Sequence, residues 1–163
     1  MFNEINDFSI DFLKERAKEL ESLYRVDEAL RKESLPEIMT DICRFLPRGF
    51  CNVRACSVVI CLDDKLYSVK PVPERPANEI RSDIIVNDRI RGYVKAMYSE
   101  DVLNMPITSF LAEEGKLLNS VAGKISNRIF HAEWEPSELR SNWEAILLLL
   151  QNTDHTMLLY ICE

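Results

Sequence analysis

Glycine and histidine are scarce in this sequence, and their shortage excludes several kinds of site. Only four glycines occur among 163 residues, and no two have the spacing of the loops that cradle phosphates, G-x-G-x-x-G or G-x-x-x-x-G-K-[ST]. The two histidines, His131 and His155, lie far apart and accompany no nucleophile motif. Because metal sites and general-base catalysis rely heavily on histidine, we expect no catalytic residue, no metal and no cofactor.

Positive charge is also in short supply. The chain has 20 lysines and arginines against 27 acidic residues, a net charge of −7. The net charge is −3 over residues 1–35 (6 − 9), +1 over 36–100 (10 − 9) and −5 over 101–163 (4 − 9). No segment has the basic surface that nucleic acids or anionic membranes attract. The longest apolar run, 145–150, is too short to span a bilayer. We therefore expect neither a nucleic acid partner nor a membrane segment.

The cysteines lack the spacing of a zinc site. Five occur, and Cys51, Cys56 and Cys61 are five residues apart, whereas zinc knuckles use C-x₂-C. Residues 1–20 contain acidic groups where a signal peptide would be apolar, so we expect reduced thiols in the cytoplasm. If Cys56 and Cys61 share a strand, their odd separation places them on opposite faces.

Two interpretations of the thiols remain open. The first is that they are ordinary buried side chains, as free cysteines usually are. The second is a redox thiol at Cys51, acting with Cys56. Arg48 and Arg54 flank Cys51 in the sequence, and nearby guanidinium groups would lower the pKa of its thiol.

Apolar periodicity predicts helices in the first third of the chain. Over residues 8–33, Leu13, Ala17, Leu20 and Tyr24 form one apolar stripe, and Leu23, Val26 and Leu30 form a neighbouring one. Asp27 interrupts a strict coiled-coil seam, so packing on the chain's own domain and pairing with another helix both remain open. Ser34 and Glu37 predict a capping box for a second helix that ends near Phe45.

The middle of the chain predicts short strands. Two hairpins are expected, with turns at 63–64 and 87–88 and strands over Ala55–Leu62, Lys65–Val69, Ile80–Val86 and Ile90–Tyr98. Pro71, Pro73 and Pro76 interrupt regular structure between the hairpins. A third helix is predicted from about Leu111 to Ala132. The adjacent acids Glu113 and Glu114 would lie in its first turn, where the helix dipole stabilises negative charge.

The C-terminal residues are unusually apolar. Ser141 and Glu144 predict the start of a helix over the apolar run 145–150, and another helix follows the loop 152–154. Helices that are apolar all round need burial on several sides. They could pair with a second copy, pack on a further domain or fold back over this one. The order of elements predicts an α+β fold with an antiparallel sheet.

This order of elements resembles the GAF domain, a sensory and regulatory module, of the type found ahead of some histidine kinases and phosphoenolpyruvate-synthase-like proteins. The resemblance spans about Leu23 to Glu135 and continues weakly beyond it. The segments that carry it are Leu23–Val26, Leu46–Phe50, Ile84–Val86, Arg91–Val94 with Tyr98, Phe110–Glu114 with Leu117-Leu118 and Val121-Ala122, and further on Trp143–Leu147 and Thr153-Asp154.

The resemblance implies a central antiparallel sheet with the N- and C-terminal helices on one face, where such helices often form a dimer, and a ligand pocket on the other face. It divides the chain into an N-terminal amphipathic helix (1–33), a GAF-like domain (34–135) and a C-terminal helical extension or linker to a missing output domain (136–163). The segment 70–79, which would roof the pocket, is short, and the cyclic-nucleotide signature N-K-F-D-E is absent. Large cofactors are therefore not expected.

The resemblance implies a non-enzymatic regulatory module that binds a small molecule or couples a dimeric state to an output domain of kinase or dikinase type. The alternatives are a thiol-based redox sensor or reductase and a ligand-free dimerisation scaffold. A ligand, if bound, would be small and anionic, held by Tyr67, Arg75 and Arg81.

We expect a homodimer because one small sheet cannot cover so many apolar helices. The predicted interface residues are Leu13, Leu20, Leu23, Tyr24, Leu30, Leu147, Leu150 and Leu158.

Overall fold

The computed structural model describes the backbone of residues 2–99 and 109–134, with the side chains of residues 10, 12–99 and 109–133. The predicted C-terminal helices, and with them Leu147, Leu150 and Leu158, lie outside the described residues. The chain divides into two units, residues 1–127 and residues 128–163.

The described residues form three α-helices and a four-stranded antiparallel sheet, which confirms the α+β class. The order along the chain is α1 (Phe2–Leu30), α2 (Leu35–Phe45), a short 3-10 helix (Leu46–Gly49), β1 (Cys56–Leu62), β2 (Lys65–Ser68), β3 (Pro76–Val86), β4 (Arg89–Ser99) and α3 (Ala112–Trp134).

The two hairpins form at the predicted turns. Asp63 and Asp64 have φ values of 48° and 62°, and Asn87 and Asp88 have 51° and 59°. Two consecutive residues with positive φ make the turn type whose twist matches that of paired strands, and Asn and Asp tolerate this conformation better than most side chains. The chemistry of the two dipeptides is therefore sufficient to locate both hairpins.

The sheet has the strand order β2-β1-β4-β3, so the two hairpins join through β1 and β4. Ile60 lies opposite Val94 with both side chains completely buried, and every residue of β1 except Cys61 is buried. Cys56 lies opposite Tyr98 and Cys61 opposite Tyr93, so the two cysteines point to opposite faces, as the sequence predicted.

Two local predictions at element starts were wrong. The side chain of Ser34 makes no capping hydrogen bond, although its backbone is extended as an N-cap requires, so the expected capping box with Glu37 is not formed. Pro76 was expected to interrupt regular structure, but it is the first residue of β3. A first strand residue accommodates proline's missing N–H group, and β3 therefore begins earlier than the predicted Ile80.

At Gly92, β4 leaves no room for a side chain beside β1. A Cβ atom built on Gly92 would lie 1.9 Å from the carbonyl oxygen of Cys61. We predict that Gly92→Ala lowers the free energy of unfolding by about 3 kcal/mol, because backbone must move to relieve the overlap. Urea denaturation measures the change. The control is Gly123→Ala in α3, where no atom lies within 4 Å of the added Cβ and alanine favours the helix; equal effects of the two variants would contradict this account.

Candidate functional site

Helix α1 uses one face to pack on the rest of its unit. Ser22, Val26 and Ala29 are buried on this inward face, and the Ser22 hydroxyl donates a 3.4 Å hydrogen bond to the carbonyl oxygen of Leu46. Nearby, Lys124 of α3 forms a 2.7 Å ion pair with Asp27. The C-terminal half of α1 is therefore held by its own domain.

The opposite face of α1 is apolar and exposed. Leu13 and Leu20 are each 64% exposed and Tyr24 is 62% exposed. At about 100° per residue, these three side chains lie within about 20° of the point opposite Ser22. We call the exposed set the outward stripe; it comprises Ile10, Leu13, Ala17, Leu20 and Tyr24.

The structure thus separates the predicted interface residues of α1 into two groups. Leu13, Leu20 and Tyr24 are exposed on the outward stripe, whereas Leu23 and Leu30 are half-buried on its flank. The sequence detected both apolar stripes but did not show which one faces the domain. Since the inward face already packs on the domain, the outward stripe faces away from that domain's core.

A cavity of about 220 Å³ lies beside α1. Helix α1 contributes one wall, and the residues around the 3-10 helix and the start of α3 contribute the others. The lining residues are Phe12, Glu15, Arg16, Glu19, Gly49, Cys51, Leu111, Glu113 and Glu114. These residues include four glutamates and one arginine, but the surface they present to the cavity is mostly apolar, and none of the predicted ligand residues Tyr67, Arg75 and Arg81 is among them.

Glu114 is a buried carboxylate that joins three parts of the fold. Its Oε1 atom accepts hydrogen bonds from the backbone N–H of Cys51 at 2.8 Å and the hydroxyl of Tyr98 at 2.9 Å. Its Oε2 atom accepts one from the backbone N–H of Leu111 at 2.7 Å, which closes the first turn of α3. Glu114 lies in the first turn of α3, as the sequence predicted, and with only 2% of its surface exposed it is also a core residue.

Aromatic rings pack around this carboxylate. The ring of Tyr98 stacks on that of Phe110 with centroids 4.2 Å apart, and Phe50 meets Phe110 edge-on at 5.8 Å. Burial and the neighbouring charge of Glu114 raise the pKa of Tyr98, so its hydroxyl remains a donor. Tyr98 and Glu114 are therefore a matched donor and acceptor in the core.

Cys51 faces carboxylates, so its surroundings are not the cationic ones on which the redox interpretation depended. Its thiol donates to Oε2 of Glu15 at 3.6 Å. Burial, followed by the charges of Glu114 and Glu15, raises the pKa of Cys51 to about 12, so Arg48 and Arg54 do not activate it. The second proposed redox residue, Cys56, is fully buried, and its burial raises its pKa to about 12 as well.

Alkylation measures the state of the Cys51 thiol. At pH 8 we expect iodoacetamide to modify Cys51 about 100-fold more slowly in the folded chain than in the denatured chain, because so little thiolate is present. Glu15→Gln should increase the rate by removing a charge that opposes ionisation. Glu19→Gln, in the same cavity wall, is the control and should leave it unchanged. A folded-state rate equal to the denatured-state rate would contradict the role assigned to these carboxylates.

The structure does not bring the predicted ligand residues together. Tyr67 lies opposite Ile60, on the sheet face that also carries Val94. Arg81 lies opposite Lys95, on the other face, where its guanidinium stacks over the ring of Tyr93 at 4.2 Å. Arg75 is exposed in the connection that precedes β3. A ligand bridging all three residues is not compatible with this strand register.

Comparison of the chain with protein-family models, curated proteins and solved structures found no match. Within the described part of the chain, no group of histidine, cysteine and acidic side chains has the arrangement of a metal site. No described helix is long and apolar enough to cross a membrane.

Proposed function

We propose that this chain is a non-enzymatic regulatory module that pairs with a second copy of itself along α1. The observation that carries the proposal is the second apolar face of α1. This outward stripe lies opposite the buried Ser22, Val26 and Ala29, so it is available to another helix while the domain remains intact.

The energetics favour pairing over leaving the stripe in water. From residue 10 to residue 24 the stripe extends for about 21 Å along the helix. Full burial of a leucine side chain is worth about 1.5–3 kcal/mol. Because monomeric proteins seldom expose large continuous apolar patches, a symmetric contact between two copies is the simplest way to cover it.

The proposal includes the GAF-like architecture, in which terminal helices form the dimer on one face of the sheet. Its support is the antiparallel sheet order β2-β1-β4-β3 and the contacts of α3 with the sheet, through Glu114 to Tyr98 and through Ser126, which accepts a 3.1 Å hydrogen bond from the N–H of Ile85. The described cysteines are all free thiols, which is compatible with the cytoplasmic setting that forms part of the proposal.

The cavity gives the proposed module a place to receive a signal. Phe12, Glu15, Arg16 and Glu19 of α1 line it, and Leu13 and Leu20 of the outward stripe are their neighbours in the same helix. A small molecule in the cavity would therefore contact the helix that pairs. The coupling of such a signal to an output domain completes the proposal.

Native mass spectrometry of the full chain tests the proposal. At micromolar concentration we expect twice the monomer mass, and a retained small molecule would appear as an additional mass. If the dimer carries no additional small-molecule mass, even after incubation with a metabolite extract, the result would favour the ligand-free scaffold. A monomer at every concentration would contradict the proposed function.

A further inference from the structure

The outward stripe has the spacing of a helix-pairing seam. Its residues are separated alternately by three and four positions, from Ile10 to Tyr24. This spacing lets side chains of one helix insert between those of another. The next two seam positions are Asp27 and Arg31, so the apolar seam ends at Tyr24.

Building on the homodimer proposed above, we infer that the two copies of α1 run antiparallel. In this arrangement Leu13 faces the partner's Tyr24, and Ala17 faces the partner's Leu20. The two-fold axis passes between Ala17 and Leu20, and the symmetry repeats both contacts. The outward stripe of one copy therefore packs on the outward stripe of a second copy, whose α1 runs in the opposite direction.

The sizes of the seam residues favour this direction. In a parallel pair in register each residue faces its own copy, so two small alanines would meet at position 17 between layers of paired leucines. An antiparallel pair instead sets the small Ala17 against a leucine. Facing large and small side chains fill the space between helices with fewer voids.

Charge at the end of the seam favours the same direction. A parallel pair would place Asp27 beside the partner's Asp27, and Arg31 beside the partner's Arg31. Like charges at facing positions of a helix pair repel each other. In the antiparallel pair no like charges face each other: Asp27 lies opposite the partner's Ile10 at the edge of the seam, where it keeps its 2.7 Å ion pair with Lys124, and Arg31 lies beyond the outward stripe.

The charges that flank the seam are compatible with pairing in either direction. The antiparallel arrangement brings Lys14 near the partner's Glu21, and the parallel one brings Arg16 near the partner's Glu21. Both contacts join opposite charges, so the flanks support a second copy as the occupant. Because the flanking charges suit both directions, the residues of the seam determine whether the two helices run parallel or antiparallel.

Disulfide trapping in the full chain distinguishes the two directions. Leu13→Cys and Tyr24→Cys variants are prepared separately, mixed under exchange conditions and oxidised, with the unmodified chain as control for the native thiols. In the antiparallel pair Leu13 and the partner's Leu13 are about 16 Å apart along the axis, too far for a disulfide. We therefore expect the disulfide-linked dimer to be at least about tenfold more abundant in the mixture, where positions 13 and 24 can be joined, than in either variant alone.

The other outcomes overturn either the direction or the dimer. Crosslinks from 13 to 13 and from 24 to 24 would establish a parallel pair, which overturns the inferred direction and leaves the proposed function intact. A dimeric mass without crosslinks in any sample would place the interface elsewhere, and a monomeric mass would refute the proposed function itself. If the cysteines at 13 and 24 weaken association, Lys14→Cys and Glu21→Cys replace them, because these substitutions keep the seam unchanged. A short bismaleimide should then crosslink the mixture of the two variants more than either variant alone.

Discussion

Leu20→Glu should raise the dissociation constant of the homodimer by about 1,000-fold. Leu20 is 64% exposed at the centre of the outward stripe, and the substitution removes two buried leucines from each dimer. At about 2 kcal/mol for each leucine, the loss of about 4 kcal/mol corresponds to that factor. The introduced carboxylates would also lose hydration in an apolar seam. Sedimentation velocity over a dilution series measures the change.

Leu66→Glu is the matched control for this experiment. Leu66 lies on β2, away from α1, and its side chain is 60% exposed, nearly as much as that of Leu20. The same leucine-to-glutamate substitution is therefore made at a similarly exposed position. We expect its dissociation constant to equal that of the unmodified chain. Equal weakening by both variants would show that the substitution acts through general surface charge, and no weakening by Leu20→Glu would remove α1 from the interface.

Glu114→Ala is expected to lower the free energy of unfolding by about 4 kcal/mol. The variant leaves three donors without their acceptor: the buried hydroxyl of Tyr98 and the partly buried N–H groups of Cys51 and Leu111. An unsatisfied buried donor costs about 1–3 kcal/mol, and the missing side chain also leaves a void. Urea denaturation at one fixed protein concentration measures the difference, since association also contributes to stability.

Two variants control for this result. Tyr98→Phe removes only one donor and keeps the ring stacked on Phe110, so about 1 kcal/mol is expected. Glu113→Ala removes the neighbouring carboxylate from the same helical turn and should change stability by less than about 1 kcal/mol. If Glu114→Ala were no more destabilising than Glu113→Ala, the role assigned to the buried carboxylate would be wrong.

The elements that depend on local chemistry were predictable. The dipeptides Asp63-Asp64 and Asn87-Asp88 adopt positive φ, and both hairpin turns are observed at these predicted residues. Apolar periodicity located the three described helices, because side chains three and four residues apart share a helical face. The predicted α1 began at residue 8, whereas the observed helix begins at Phe2.

Features that depend on distant residues were not predictable. The burial of Glu114 depends on donors at Cys51 and Tyr98, and the residue before α3 is Leu111, which gives no capping signal in the sequence. Arg48 and Arg54 are near Cys51 in sequence, yet a carboxylate from α1 reaches its thiol. The separation of Tyr67 from Arg81 follows from strand register, because a shift of one residue exchanges the faces of a strand.

The most direct test of the central claim is an isotope-filtered NMR experiment on a dimer of one methyl-labelled and one unlabelled copy. It detects only contacts between copies. The account predicts intermolecular signals from the methyl groups of Leu13, Ala17 and Leu20, including contacts from Leu13 to the partner's Tyr24 ring. A confirmed dimer whose intermolecular signals all arise outside α1 would contradict it.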